Sequence, residues 1–147
     1  MQSHYRMLGL NLLASFVIMY LVMFAMIDGI ADFYNNINMF YMTLMMVAPM
    51  AILMLAMMGS MYPNRRLNLA LYAVFAIVFV AAFLAIRTQT AVGDQQFLRS
   101  MIPHHSGAIL MCREAALTDP ELVALCGRIE RSQREEIDQM NAILARP

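Results

Sequence analysis

One stretch of the chain gathers side chains that bind soft metal ions. It reads Met101-Ile102-Pro103-His104-His105, and Met111-Cys112 follows. Imidazole suits copper, zinc or iron, while thioether and thiolate groups select soft ions, copper(I) above all and silver(I) as its mimic. On a helix Met101 shares a face with His104 and His105, because neighbours at three and four positions lie together. Met111 and Cys112 continue that face two turns on. The plainer account is packing: methionine fills gaps in helical cores, and adjacent helical residues diverge by about 100° and need not share an ion. Pro103 removes the hydrogen bond to the Arg99 carbonyl and should bend the helix beside the histidines.

The elements that must position these residues are two helices. Asp94 opens an amphipathic segment running to about Leu117. Thr118-Asp119-Pro120-Glu121 then marks a new helix start, with Asp119 as cap, Pro120 in the first helical position and Glu121 at the positive dipole end. The second helix runs to about Leu144, carrying Ile129, Ile137, Met140 and Leu144 at helical spacing. So tight a turn makes the helices antiparallel neighbours. With the turn centred near Asp119, Cys112 falls opposite Cys126, His105 opposite Gln133 and Met101 opposite Ile137. Met140 then lies within about a turn of Met101, and Glu136 is nearby. The candidate metal set is Met101, His104, His105, Met111, Met140, Cys112, Cys126 and Glu136. For the two cysteines a disulfide across the hairpin, a metal-binding thiolate pair and inert packing stand as equal alternatives. Two helices of this length leave most of their surface wet. Completion as a four-helix bundle by oligomerisation is therefore favoured, with docking onto the membrane part as the alternative.

The string Phe97…Met101-Ile102-Pro103-His104-His105…Ala108…Met111, followed by Gln133-x-x-Glu136-Ile137-x-x-Met140, resembles the DUF305 family over about the last fifty residues. The resemblance implies a ferritin-like helical fold. Because some members are copper-binding proteins of the bacterial periplasm, it also implies binding of copper or silver through Met101, His104, His105, Met111 and Met140. Cys112 departs from the small residue expected at its position.

Upstream of the hairpin the composition changes. Apolar residues make up 61% of the 147, against about 45–50% in soluble domains, and the excess lies in residues 7–86. Three runs, about 7–27, 39–59 and 67–86, each approach the ~20 residues that cross a bilayer as a helix. The first is longer than a signal peptide's apolar core, so all three spans should be retained. The fold class is thus all-α, with a membrane domain over 1–87 and an extramembrane hairpin over 94–147. Arg6, Arg65 and Arg66 mark the N terminus and second loop as cytoplasmic. The first loop, with Asp28 and Asp32, and the hairpin then lie outside. With the resemblance, this predicts a bacterial inner-membrane protein with a periplasmic hairpin.

The second span carries Met39, Met42, Met46, Met50, Met54, Met57 and Met61 within an arc of about 120°. Thioethers bind copper(I) without placing a charge in lipid. The ladder is therefore a candidate relay or store for soft cations, with Asp28 and Asp32 collecting them outside. A methionine stripe is also a common packing device, although the third span contains no methionine at all.

Net charge is zero, with ten Arg and no Lys, and no basic run suggests nucleic acid. No Glu-x-x-His occurs, so a di-iron enzyme is not expected. The sequence points to a membrane-anchored binding protein for copper(I) or silver(I), serving metal storage, handling or resistance. Its expected partners are membrane lipid, further copies of itself and copper export or chaperone proteins. The competing reading is a structural adaptor whose hairpin only drives oligomerisation.

Overall fold

The computed structural model describes residues 2–146. Its elements are α1 (Gln2–Val22), α2 (Ile37–Met57), α3 (Arg65–Thr88), α4 (Asp94–Glu114) and α5 (Pro120–Leu144), with 3₁₀ turns at Ile30–Asp32 and Gly59–Met61. No strand occurs among the described residues, and the all-α expectation holds. The chain forms two compact units: Met1–Val22 with Asn38–Thr90, and Met23–Ile37 with Ala91–Pro147. By sequence the first interhelical loop belongs to the membrane domain of 1–87; here it clusters with the hairpin. Residues 23–37, the first interhelical loop, pack with the C-terminal hairpin.

Three helices are long and apolar enough to cross a membrane: His4–Met26, Ile37–Met57 and Arg65–Thr88. Their outer surfaces are apolar. Leu10, Leu13, Ile18, Val74, Ile77 and Leu84 are all largely exposed, a distribution that lipid covers and water does not. The inner face of α2 is narrow, with Thr43, Val47, Ala48, Ala51 and Leu55 buried. Small residues at four-residue spacing let helices approach closely without a large core. Thr43 turns its hydroxyl onto its own helix, donating to the Met39 carbonyl at 2.7 Å. Near the α2–α3 turn, the Tyr5 hydroxyl donates to Asn68 Oδ1 at 2.8 Å and accepts from the Asn64 N–H. Leu8, Leu55 and Tyr62 close over that corner. Asn64 also caps α3 through the Leu67 N–H.

The second unit is the hairpin with a strap. Asp119 caps α5 by accepting from the Glu121 and Leu122 N–H groups at 2.8 and 3.1 Å, with Pro120 at the helix start. Leu98, Ile102 and Ile109 of α4 meet Ile137 and Met140 of α5 in one core, edged by Met101, Ile143, Leu144 and Tyr34.

The strap, residues 23–37, supplies the cover that two helices lack. Asp28 pairs with Arg113 of α4 and with Arg134 of α5, the latter at 2.9 Å. The Asp28 N–H donates to Ser106 Oγ at 2.7 Å, and that hydroxyl donates to Asp32 Oδ2 at 2.6 Å. Gly107 makes room beside it: a β-carbon there would sit 3.4 Å from the Met26 carbonyl. Farther along, the Tyr34 hydroxyl donates to Asn141 Oδ1, and the Ile37 N–H donates to Gln96 Oε1. Asn36, buried, donates to the Arg99 carbonyl at 3.4 Å. That is the carbonyl Pro103 leaves without its helical partner. Asp28 and Asp32, expected as collectors of cations, are instead the anchors of this strap.

Candidate metal centre

The sequence-derived ligand set divides into four groups. Cys112 and Cys126 are joined in a disulfide, with α-carbons 5.2 Å apart. Of the three alternatives for this pair the disulfide is the one realised. Two bonded sulfurs carry no thiolate, so the assignment of Cys112 and Cys126 as metal ligands is corrected. Met140 is 8% exposed and belongs to the core with Ile102 and Ile137. Its thioether serves packing there. Met111 is exposed on α4. It lies seven residues beyond His104, about 10 Å along the axis at 1.5 Å per residue, too far to share one ion's coordination shell with it.

What remains together is Met101, His104, His105 and Glu136. The His105 side chain is 12% exposed, and its Nδ1 lies 3.0 Å from Glu136 Oε2. The contact is one of proximity, since Nδ1 has no aligned hydrogen-bond partner among the described residues. Glu136 is fixed in turn: the Ser132 hydroxyl, one turn earlier on α5, donates to its other oxygen at 3.0 Å. A carboxylate facing Nδ1 draws the ring proton to that nitrogen and leaves the Nε2 lone pair free, the arrangement that orients metal-binding histidines. Burial pushes the His105 pKa below its ordinary value. Glu136 opposes the shift, and the neighbouring His104 adds to it. The imidazole is therefore held neutral, the form that ligates.

His104 is exposed, and its ring centre lies 6.2 Å from that of His105. Metal–nitrogen bonds of about 2 Å allow two imidazoles on one ion to have ring centres up to roughly 6.5 Å apart. Adjacent positions on the helix thus do not rule out a shared ion. Met101, one turn before the pair and half-buried at the core's edge, is the sulfur donor in sequence reach. Among the described residues no group of three or more His, Cys, Asp or Glu side chains gathers around a common point. The arrangement offers two imidazoles and one thioether, fewer donors than the four of a closed zinc site. Sequence reasoning placed Glu136 among the ligands. Its position places it against Nδ1 of His105, at 3.0 Å. Ser132 was missed, although its four-residue spacing from Glu136 signals the contact.

The methionine ladder of α2 does not enclose a path within its unit. Met42, Met46, Met57 and Met61 are exposed, while Met39, Met50 and Met54 are half-buried beside the small-residue face. Met42, Met45 and Met46 line an open cleft with Phe83 and Ile86. Met54, Met58 and Met61 line another with Met7 and Leu8.

Fold and site together define a class: three helices of membrane length followed by a strapped helical hairpin that carries a carboxylate-backed histidine pair. The chain belongs to the family described as Domain of unknown function (DUF305), whose model matches residues 80–144. It is also 38% identical over 141 residues to the uncharacterized protein L153 of Acanthamoeba polyphaga mimivirus, covering 94% of this chain and 91% of the relative. That similarity includes the apolar helices and comes from a virus, so a bacterial membrane is not carried forward from the sequence reading. No solved structure matches the chain.

Proposed function

We propose that the chain is a membrane-anchored binding protein for soft monovalent metal cations, copper(I) first with silver(I) as its mimic, and that the ion is cargo held for storage, handling or resistance. The observation that carries this reading is the close approach of Glu136, itself hydrogen-bonded by Ser132, to a largely buried His105 imidazole that lies beside a second imidazole and a thioether. A histidine serving only packing has no need of a supporting carboxylate that is itself supported. Held outside the apolar helices, the ion would be passed to or received from a copper exporter or chaperone. The α2 methionines form no part of the site. A binding role fits the donor set better than an enzymatic one, because no carboxylate pair accompanies the histidines.

The test is a silver(I) or anaerobic copper(I) titration of the full chain in detergent against a competing chelator. One ion per chain is expected, with affinity reduced about tenfold or more by His105→Ala and about tenfold by Glu136→Gln. No competition with a micromolar chelator would dispose of the proposal.

One observation favours the second reading, an oligomerising adaptor. Phe97, Leu122, Val123 and Leu125 are exposed on the hairpin at 51%, 49%, 51% and 42%. In that case Leu122→Glu with Leu125→Glu would dissociate the oligomer, while His105→Ala would leave every property unchanged.

A further inference from the structure

The second unit holds an open cleft that the histidine pair does not use, with Gln95 and Arg99 exposed along it. Its volume is about 470 Å³, and its walls include Tyr34 of the strap, Gln95 and Arg99 of α4 and Asn141 of α5, with Ala31 and Leu144 on an apolar side. That volume lies within the ~300–1,000 Å³ range of small-molecule sites.

The polar lining consists mainly of donors. No Asp or Glu contributes to it, and the Arg99 guanidinium forms no ion pair with any described carboxylate. The Tyr34 hydroxyl donates to Asn141 Oδ1 at 2.8 Å. That bond occupies the acceptor of the Asn141 amide and leaves its two N–H groups. Gln95 adds a second amide. The last carbonyls of α5, which would repel an anion, are partly taken up: the Ala145 N–H bonds the Asn141 carbonyl and the Arg146 N–H bonds the Ile143 carbonyl. An arginine fork joined by amide donors recognises a tetrahedral oxyanion, and the alanine and leucine wall accommodates an alkyl or glyceryl ester.

We propose that this cavity binds a phosphate ester, with Arg99 as the charge partner and Asn141 and Gln95 as the amide donors. The ester has two sources, a phospholipid headgroup or a soluble phosphate compound. Connectivity favours the lipid, because the strap joins α1 directly to α2, and α4 follows α3 after the short segment 89–93. Ala31, Tyr34, Gln95 and Arg99 therefore lie on chain that enters or leaves a membrane-length helix, while Asn141, Leu144 and Ala145 come from α5 and its end. The proposal stands independently of metal binding.

The full chain in detergent is offered phosphatidylglycerol, or a diacylglycerol with the same acyl chains and no phosphate, and retention is read by native mass spectrometry. In parallel, glycerol 3-phosphate is titrated and followed by ³¹P NMR. Retention of phosphatidylglycerol over diacylglycerol, weakened about tenfold or more in Arg99→Gln, supports the lipid source. Binding of glycerol 3-phosphate with the same dependence on Arg99, without lipid selectivity, supports the soluble one. Asn141→Asp guards against misfolding as the cause, since it keeps an acceptor for Tyr34 and the side-chain shape while placing a negative charge in the cavity. It too should abolish binding. Failure of the unaltered chain to hold either compound, or equal binding by both variants, overturns the proposal.

Discussion

In the unit of α1, α2 and α3, Leu13 and Ile77 keep 63% and 67% of their surface exposed, whereas in the strapped hairpin Ile102 and Ile109 keep none. Both units are helical, yet they dispose of apolar surface in opposite ways. The first turns it outward and packs inward on Ala48, Ala51 and Thr43. The second encloses Leu98, Ile102, Ile109 and Ile137, leaves Phe97, Leu122, Val123 and Leu125 outside, and is fastened through Asp28, Ser106, Asn36 and the disulfide. The first arrangement is the kind that a lipid solvent stabilises and the second the kind that water stabilises. The histidine pair lies on the unit whose side chains are locked, where a ligand can be held in one orientation.

The contrast breaks most visibly in the core. Ile102→Ala should destabilise the hairpin by about 2–5 kcal/mol, read as faster hydrogen exchange across α4 and α5. Leu13→Ala on the outward face of α1 should shift exchange in its own unit by less than about 0.5 kcal/mol. Similar losses at both positions would mean that the first unit has an enclosed core. Next in size is the disulfide. Reducing Cys112–Cys126 frees a short loop and should cost about 3 kcal/mol, while the number of silver ions bound per chain stays the same. A gain of a bound ion on reduction would restore the cysteines as ligands. Asp28→Asn removes charge from between two arginines and should loosen the strap by about 2 kcal/mol, seen as exchange at residues 23–37 before the rest of the unit.

The pH dependence follows from His105. Its pKa is depressed by folding, so the unfolded chain binds the proton more readily. The stability this group contributes is fully present above about pH 6.5 and is lost as pH falls through the lower folded value. Protection of the hairpin amides, taken relative to their intrinsic exchange rate at each pH, should fall over that window, and His105→Gln should flatten the response. The smallest effect is expected in the other unit. Replacing Met42, Met46, Met50 and Met54 together by leucine conserves volume and should leave silver affinity unchanged within about twofold.

The sequence made the helices legible because their signals are local. Apolar runs of membrane length, the Asp119-Pro120 start and the opposition of Cys112 to Cys126 all follow from spacing along one or two helices. The strap was not legible. Residues 23–37 have no periodicity, and their attachment depends on partners far away in sequence: Asp28 with Arg113 and Arg134, Asp32 with Ser106, Asn36 with the carbonyl opened by Pro103. Pro103 was recognised as freeing a carbonyl, but its recipient lay outside any local pattern. The site was legible as a set of types and only partly as a set of positions. Met111 and Met140 share ligand chemistry with Met101, yet one faces outward and the other fills the core. Helical phase alone does not separate those fates when the covering strap is unknown.

The most direct test of the account reads the ring nitrogens of His105. The full chain contains only His4, His104 and His105, so ¹⁵N-histidine NMR in detergent resolves each imidazole with and without silver(I). The account predicts that His105 carries its proton on Nδ1 before addition, that silver shifts its Nε2 together with a nitrogen of His104, and that His4 does not move. A silver response confined to His4, or none at His105, would contradict it.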